Sequence, residues 1–186
     1  FPRAFTPFGG TILAVSSLWA GALVPHGPFP APFAPVNLLE RLLQAEGYRK
    51  LVAPDVLTMT LSKPPPSWEP FDVEHTLLRQ ACPALQDLGR RLGPKRGGEP
   101  PAFAFAHLYD LHIAHVERAD FRTAPLDTAQ AQRAAYRRAV ASADACLGAF
   151  VAELKRLGRW ERTVLIVTAD HGDSLGEEGR WGHAHT

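Results

Sequence analysis

One segment near the end of the chain constrains the fold most. Thr163–Thr168 (TVLIVT) is uncharged and rich in β-branched residues, as in a strand buried within a parallel sheet. The preceding stretch, Thr128–Leu157, has apolar residues at spacings of three and four, which predict a long helix. Ala102–Leu108 and Tyr48–Ala53 predict two further strands. Because helix and strand alternate, we predict an α/β fold whose mostly parallel sheet is sandwiched between helices.

Shorter signals predict the remaining helices. Gly9–Gly21 begins with a glycine turn and continues as a helix of small and apolar residues. Asn37 is a suitable N-cap for a second helix, which Gly47 closes. Val73–Leu92 predicts a helix that is interrupted before Pro83. The proline-rich stretches Pro25–Pro35 and Pro64–Pro66 are predicted to be irregular connections.

The composition excludes several classes of protein. Lys and Arg number 20 against 19 Asp and Glu, so the net charge of +1 gives no electrostatic attraction for nucleic acid or anionic lipid. Cys82 and Cys146 are too few for a disulfide framework or a zinc ribbon. The uncharged run after Phe5 contains too many Gly, Pro and Ser residues for a spanning helix. What remains is a globular domain.

An acid and an imidazole follow the Thr163–Thr168 segment directly. They are Asp170 and His171 in the sequence TADHGD. Ligands of open α/β sheets bind just beyond the carboxyl ends of the strands. Asp and His together suit Zn, Mn, Mg or Ca, depending on their companions. A solvated turn at a strand end would explain this pair equally well.

Further polar residues lie near the same two strand ends. His183 and His185 follow on the loop after His171, where core packing does not explain three imidazoles. Beyond the Ala102–Leu108 run come a carboxylate and two more imidazoles, Asp110, His112 and His115. We predict that His107, inside the strand, is a hydrogen-bonded core residue, and that His112 is functional.

The chain resembles the sulfatase family of the alkaline phosphatase superfamily. Ala135–His183 is similar to that family's helix, strand and metal loop, and Ala104–His115 to the strand and loop that supply an active-site His. Leu38–Ala53 resembles the helix and strand before them, whereas residues 54–100 match poorly and receive no function. The resemblance implies an alkaline phosphatase-like fold. It makes residues 1–186 a partial catalytic domain, without the N-terminal metal strand and the C-terminal part.

The resemblance also implies a nucleophile. The family places it at a helix N-terminus about ten residues before a Gly, a relation that Thr11 and Gly21 share. A purely structural N-cap hydroxyl is the alternative for Thr11, and Ser16 and Ser17 lie deeper in the predicted helix. The Cys/Ser-x-Pro-x-Arg motif of the sulfate-ester hydrolases is absent here. The expected relatives are therefore those with a Thr nucleophile, such as lipoteichoic acid synthases and phosphoethanolamine transferases.

These implied roles define an expected mechanism. Thr11 attacks phosphorus or sulfur, while Asp170, His171 and Thr11 hold a divalent metal ion. His112 and His183 contact non-bridging oxygens or protonate the leaving group. The alternatives are a true sulfuric ester hydrolase and a non-catalytic relative that binds an ester or glycan. Because the family's first metal carboxylate lies upstream of this piece, we expect the piece alone to bind metal weakly and to be inactive.

The resemblance further implies the partners and the location. The expected substrate is a small-molecule, lipid or glycan ester, and nucleic acid is not expected. Members of the family mostly act outside the cytoplasm, so we expect a periplasmic, membrane-anchored or secreted protein. Membrane association would then come from segments outside these 186 residues.

Overall fold

The computed structural model describes residues 5–23, 37–53, 69–70, 80–112 and 129–183. Within these ranges two short 3-10 turns occur, at Trp160–Arg162 and Glu177–Gly179. The helices and strands are, in chain order, α1 (Thr11–Ala20), α2 (Leu38–Ala45), β1 (Arg49–Ala53), β2 (Glu69–Pro70), α3 (Ala81–Leu92), β3 (Ala102–Ala106), α4 (Ala129–Arg156), β4 (Ser174–Leu175) and β5 (Trp181–Gly182). The two predicted proline-rich connections, His115 and His185 lie outside the described residues.

A small parallel sheet forms the centre of the structure. Its strand order is β2-β1-β3, and β1 is parallel to both neighbours. Leu51 lies opposite Glu69 on one side and Ala104 on the other. The sheet and the surrounding helices are those of an α/β protein, as the alternation of helix and strand predicts.

The two faces of β1 contact different helices. Leu51 and Ala53 belong to a buried cluster with residues of α3 and α4, including Leu85 and Phe150. Val52, which points to the opposite face, packs with Val15, Trp19 and Ala20 of α1. The alternation of side chains along a strand therefore gives β1 an apolar cluster on each face.

Helix ends follow the predicted capping residues. The Asn37 side chain accepts a hydrogen bond of 3.0 Å from the Glu40 amide at the start of α2. Gly21 ends α1 with a φ of 64°, a left-handed conformation that glycine adopts without strain. The predicted interruption before Pro83 agrees with the start of α3 at Ala81, because the preceding residue, Gln80, has an extended backbone. The part of the predicted helix before Gln80 lies outside the described residues. A proline in the first helical turn removes no hydrogen bond that the helix would otherwise make.

The prediction of a buried strand at Thr163–Thr168 is wrong. These residues belong to neither sheet of the described chain. Val164 and Ile166 are 87% and 80% exposed, although their side chains are those of a strand interior. Residues with high β-propensity form a stable strand only when neighbouring strands and covering side chains pack against them. No described strand pairs with this segment.

The two cysteines form a single bridge between helices. Cys82 of α3 is disulfide-bonded to Cys146 of α4, with 4.9 Å between their Cα atoms. The prediction that two cysteines cannot make a disulfide framework holds, since one bridge is not a framework, but the pairing itself was not predicted.

α4, with 28 residues, is the longest helix that the structure describes. Among the described residues no helix combines the length and the apolar composition that crossing a bilayer requires.

Candidate active site

The candidate site lies where the ends of several elements meet. Thr11 is the first residue of α1, and His107 follows the last residue of β3. Asp170 and His171 come after the exposed segment Thr163–Thr168, and the hydroxyl of Thr6 donates to the backbone oxygen of Asp170 across 2.7 Å. The start of α1 and the loop that carries Asp170 and His171 are therefore held together, although about 160 residues separate them in sequence.

Thr11 and His171 are in direct contact. The Thr11 Oγ1 atom lies 3.1 Å from His171 Nε2, and His171 Nδ1 lies 2.9 Å from the backbone oxygen of Gly172. A carbonyl oxygen can only accept, so the hydrogen of the neutral imidazole is on Nδ1. Nε2 then has a free lone pair, which can accept from the Thr11 hydroxyl or bind a metal ion.

The carboxylate of Asp170 is the candidate ligand for a cation. Its Oδ2 atom is buried and has no hydrogen-bond partner among the described residues. Two imidazole nitrogens lie just beyond hydrogen-bond distance, His171 Nε2 at 3.5 Å and His107 Nε2 at 3.7 Å. An uncompensated buried carboxylate is costly, which makes a cation the fitting partner for this oxygen.

His183 belongs to the same cluster. Its ring centroid lies 4.3 Å from that of His171 and 5.5 Å from that of His112. Its Nδ1 atom is 2.8 Å from Asp173 Oδ1. The structure therefore brings together all five residues that sequence reasoning assigned to the site, Thr11, His112, Asp170, His171 and His183.

Two donor sets for a metal ion overlap at His171. The first consists of Asp170 Oδ2, His171 Nε2 and Thr11 Oγ1, and the second of His171, Asp173 and His183, whose ligand atoms lie within 4.8 Å of one another. Asp173 already accepts a hydrogen bond from His183, whereas Asp170 Oδ2 has no such partner among the described residues. The first set therefore fits a divalent cation better, and oxygen with imidazole suits Zn or Mn.

Sequence reasoning misplaced His107 and missed Asp173. His107 was predicted to be a core residue inside a strand, but it lies one residue beyond β3 and its ring faces Asp170. The apolar run continues to Leu108, but β3 ends at Ala106. Ala106 with Ala53 is the last pair in the register of β3 with β1. Asp173 lies on a hairpin, opposite His183. The two residues are equally far in sequence from the turn between β4 and β5, and this spacing could have identified Asp173.

Asp110 has a different task. Its Oδ2 atom accepts a hydrogen bond of 2.8 Å from the Ala81 amide at the start of α3. The first amides of a helix lack partners within the helix, so this carboxylate stabilises the N-terminus of α3. Asp110 is a structural residue, although it follows the same strand as His112.

Comparisons with known proteins identify the family of this chain. The sulfatase family's sequence profile matches residues 86–186, which is more than half of the chain. The chain therefore belongs to the sulfatase family. It is also similar to a multifunctional alkaline phosphatase superfamily protein, PehA, of Trinickia caryophylli, with 36% identity over 93 residues.

The aligned part is 45% of this chain but only 18% of PehA. The chain thus spans less than a fifth of the length of that relative. No solved structure matches the chain significantly. The resemblance to the sulfatase family of the alkaline phosphatase superfamily, inferred from Ala135–His183 and the preceding segments, is confirmed.

Proposed function

We propose that the whole protein is a metal-dependent hydrolase or transferase of phosphate or sulfate esters, with Thr11 as the nucleophile of phosphoryl transfer. The main support is the 3.1 Å contact between Thr11 Oγ1 and His171 Nε2, beside the unsatisfied carboxylate oxygen of Asp170. A hydroxyl needs this kind of surrounding to attack an ester at neutral pH. Membership of the sulfatase family and the similarity to an alkaline phosphatase superfamily protein support the reaction class.

The position of Thr11 suits an anionic substrate. It is the first residue of a helix of ten residues whose first turn contains no acidic side chain. The free amides of that turn and the positive end of the helix dipole stabilise an anionic group beside the hydroxyl. Asp170 and His171, together with Thr11, would hold the divalent cation, which when bound favours the Thr11 alkoxide and offsets negative charge on the ester.

The reaction then has two balanced steps. The Thr11 hydroxyl first gives its proton to solvent. Its oxygen then forms a bond to phosphorus as the bond to the ester oxygen breaks, and the ester oxygen takes a proton from an imidazolium. His183 and His112 are the two candidate donors, since their rings lie side by side. Water or an acceptor hydroxyl next attacks the threonine phosphate and gives its proton to the same imidazole, while the bond between phosphorus and the Thr11 oxygen breaks and releases Thr11 as the alkoxide.

The decisive experiment measures hydrolysis of p-nitrophenyl phosphate, bis(p-nitrophenyl) phosphate and p-nitrophenyl sulfate by the full-length protein with added Mn or Zn. We expect turnover of a phosphate ester that chelation abolishes. Turnover of the sulfate alone would instead support a sulfuric ester hydrolase. Absence of any turnover would support a relative that binds esters or glycans without reaction.

Substitutions in α1 test the nucleophile. Thr11→Ala should lower kcat/KM about a thousandfold or more, because the covalent step is lost. Thr11→Ser keeps a hydroxyl and should retain most of the activity. Ser16→Ala is the matched control, since Ser16 is a buried hydroxyl of the same helix. Equal activity of Thr11→Ala and the wild type would remove Thr11 from the mechanism.

We also propose that the protein acts outside the cytoplasm on a small-molecule, lipid or glycan ester. The disulfide between Cys82 and Cys146 supports an oxidising compartment, because such bonds are rare in the reducing cytosol. Thiol titration of the denatured protein, prepared from its native host with rapid alkylation, tests this location. Two free thiols per chain would contradict it.

A further inference from the structure

A hairpin follows the loop that carries Asp170 and His171, and it brings one carboxylate and one imidazole together. β4 and β5 are antiparallel, with Ser174 opposite Gly182 and Leu175 opposite Trp181. One more step of this register places Asp173 opposite His183. Directly opposed residues of an antiparallel pair have neighbouring Cβ atoms, so their side chains meet without any displacement of the backbone.

The contact between these side chains selects one tautomer. Asp173 Oδ1 lies 2.8 Å from His183 Nδ1. An ionised carboxylate can only accept, so Nδ1 carries a hydrogen and Nε2 is the nitrogen left for the substrate. Both side chains are mostly buried, with 11% of Asp173 and 23% of His183 exposed, so water competes weakly for this hydrogen bond.

Other contacts hold the hairpin in place. The Arg133 guanidinium of α4 donates to the Leu175 carbonyl oxygen across 2.8 Å. Gly176 has a φ of 97°, and a Cβ atom there would lie only 2.5 Å from the Trp181 ring, so that turn has no room for a side chain. Burial, and next the negative charge of Asp173, raise the pKa of Tyr136 on α4. The hairpin is therefore a supported element rather than a free loop.

We propose that Asp173 is a positioning residue that orients His183 as the proton donor to the leaving group. Asp173 acts through His183 and does not touch the substrate. This inference rests on the proposed function, because it assigns a partner to one of the acid–base candidates of that reaction. It also separates two roles within the cluster, since Asp170 keeps its free oxygen for the cation while Asp173 is committed to His183.

The proton balance of the proposal is simple. Protonated His183 gives the hydrogen on Nε2 to the departing ester oxygen and becomes neutral, with the Nδ1 hydrogen still bound to Asp173. In the second step Nε2 accepts a proton from the attacking water or hydroxyl. Without Asp173 the neutral ring is free to adopt the other tautomer or to turn, and Nε2 is no longer presented in a fixed direction.

A double-mutant cycle in the full-length, metal-loaded enzyme tests this role. Asp173→Asn should lower kcat about 10- to 100-fold with little change in KM, which is the range for partners of functional histidines. The loss should be larger for phenyl phosphate esters than for p-nitrophenyl esters, because the poorer leaving group depends more on protonation. In a His183→Ala background, Asp173→Asn should have almost no further effect.

Three additions keep the test decisive. Glu178→Gln is the matched control, since it removes a carboxylate of the same turn whose side chain is 79% exposed, and it should leave activity unchanged. Imidazole ¹⁵N shifts of the full chain should show His183 mainly as the Nδ1–H tautomer, and Asp173→Asn should reduce that population. Asp173→Glu keeps a carboxylate and should recover part of kcat.

Two results would overturn the proposal. One is a loss in the double variant that equals the product of the two single losses, and the other is an unchanged tautomer in Asp173→Asn. If the wild-type protein shows no ester turnover at all, the proposed function fails, while the tautomer measurement still decides whether Asp173 orients His183. The two failures are thus distinguishable.

Discussion

The strand β1 and the segment Thr163–Thr168 both contain branched apolar side chains, but these side chains lie in opposite environments. Leu51 and Val52 of β1 are at most 1% exposed, whereas Val164 and Ile166 are among the most exposed apolar residues described. The difference lies in their neighbours. β1 has a strand on each side and an apolar cluster on each face, while no strand of the described chain pairs with the later segment. Apolar composition creates a tendency to pair, but only a partner produces burial.

The point where the exposed segment begins is nevertheless fixed. Arg159 donates to the carbonyl oxygens of Leu92 and Gly93 at the end of α3, and it pairs with Glu99. At the other end, the Asp170 backbone oxygen accepts from Thr6. The segment is therefore held at both ends, which places Asp170 and His171 without any ladder of hydrogen bonds in between.

The disulfide gives the largest expected effect on stability. It links α3 to α4, the two helices that cover one face of β1, across a sequence separation of 64 residues. Loop-closure entropy predicts that replacing both cysteines by Ala lowers the free energy of unfolding by about 4 kcal/mol. Urea unfolding of wild type and variant measures this difference. A reducing agent should destabilise the wild type only, and equal stability of the two proteins would contradict the prediction.

Two side-chain truncations test the difference in burial between β1 and the Thr163–Thr168 segment. Leu51→Ala should lower the free energy of unfolding by about 3 kcal/mol, because it leaves a cavity beside α3 and α4. Ile166→Ala removes an exposed side chain and should change that free energy by less than about 0.5 kcal/mol. Urea midpoints of the two variants at equal m-value measure both effects. Similar losses would mean that the Thr163–Thr168 segment is buried in solution.

The smallest expected effect on stability depends on pH. It concerns Glu99, which pairs with Arg159 just before the Thr163–Thr168 segment. Hydrogen bonds from Lys95 and then Arg159 lower the pKa of Glu99 from 4.5 to about 2. Because the folded pKa is lower than the unfolded one, this carboxylate stabilises the fold above pH 4.5. The contribution falls as the pH drops from 4.5 toward 2.

Melting temperatures of wild type and Glu99→Gln between pH 7 and pH 3 measure this contribution. The variant should melt slightly lower at pH 7, and the gap should narrow below pH 4.5 as Glu99 of the unfolded wild type takes up protons. Lys95 keeps a short contact with Glu99 in the wild type, at 2.8 Å, so Lys95→Met is a second way to weaken the contacts of Glu99. A constant gap over the whole pH range would show that Glu99 does not titrate as inferred.

Local sequence determined most of the helices and their ends. The Asn37 cap and the turn at Gly21 agree with the predictions because each depends on neighbouring residues alone. The break before Pro83 is likewise a local feature, because proline is tolerated in the first turn of a helix such as α3. The prediction failed at Thr163–Thr168, because burial of a strand depends on distant strands.

For the candidate site, the residue types in the sequence indicated which residues belong to it but not the role of each. Asp110, Asp170 and Asp173 all follow apolar segments, and only their three-dimensional partners distinguish them. Asp110 caps a helix, Asp170 keeps a free oxygen and Asp173 binds His183. Tautomers likewise depend on which acceptor lies next to each ring nitrogen, as the Gly172 carbonyl shows for His171.

The amino-acid sequence by itself determined the family, the alternation of helix and strand and the set of hydroxyl, acid and imidazole groups, because these reside in local patterns. The tertiary structure alone decided that Cys82 meets Cys146 and that His107 faces Asp170. Such contacts join residues far apart in the chain. Their geometry depends on packing between elements, which no local pattern specifies.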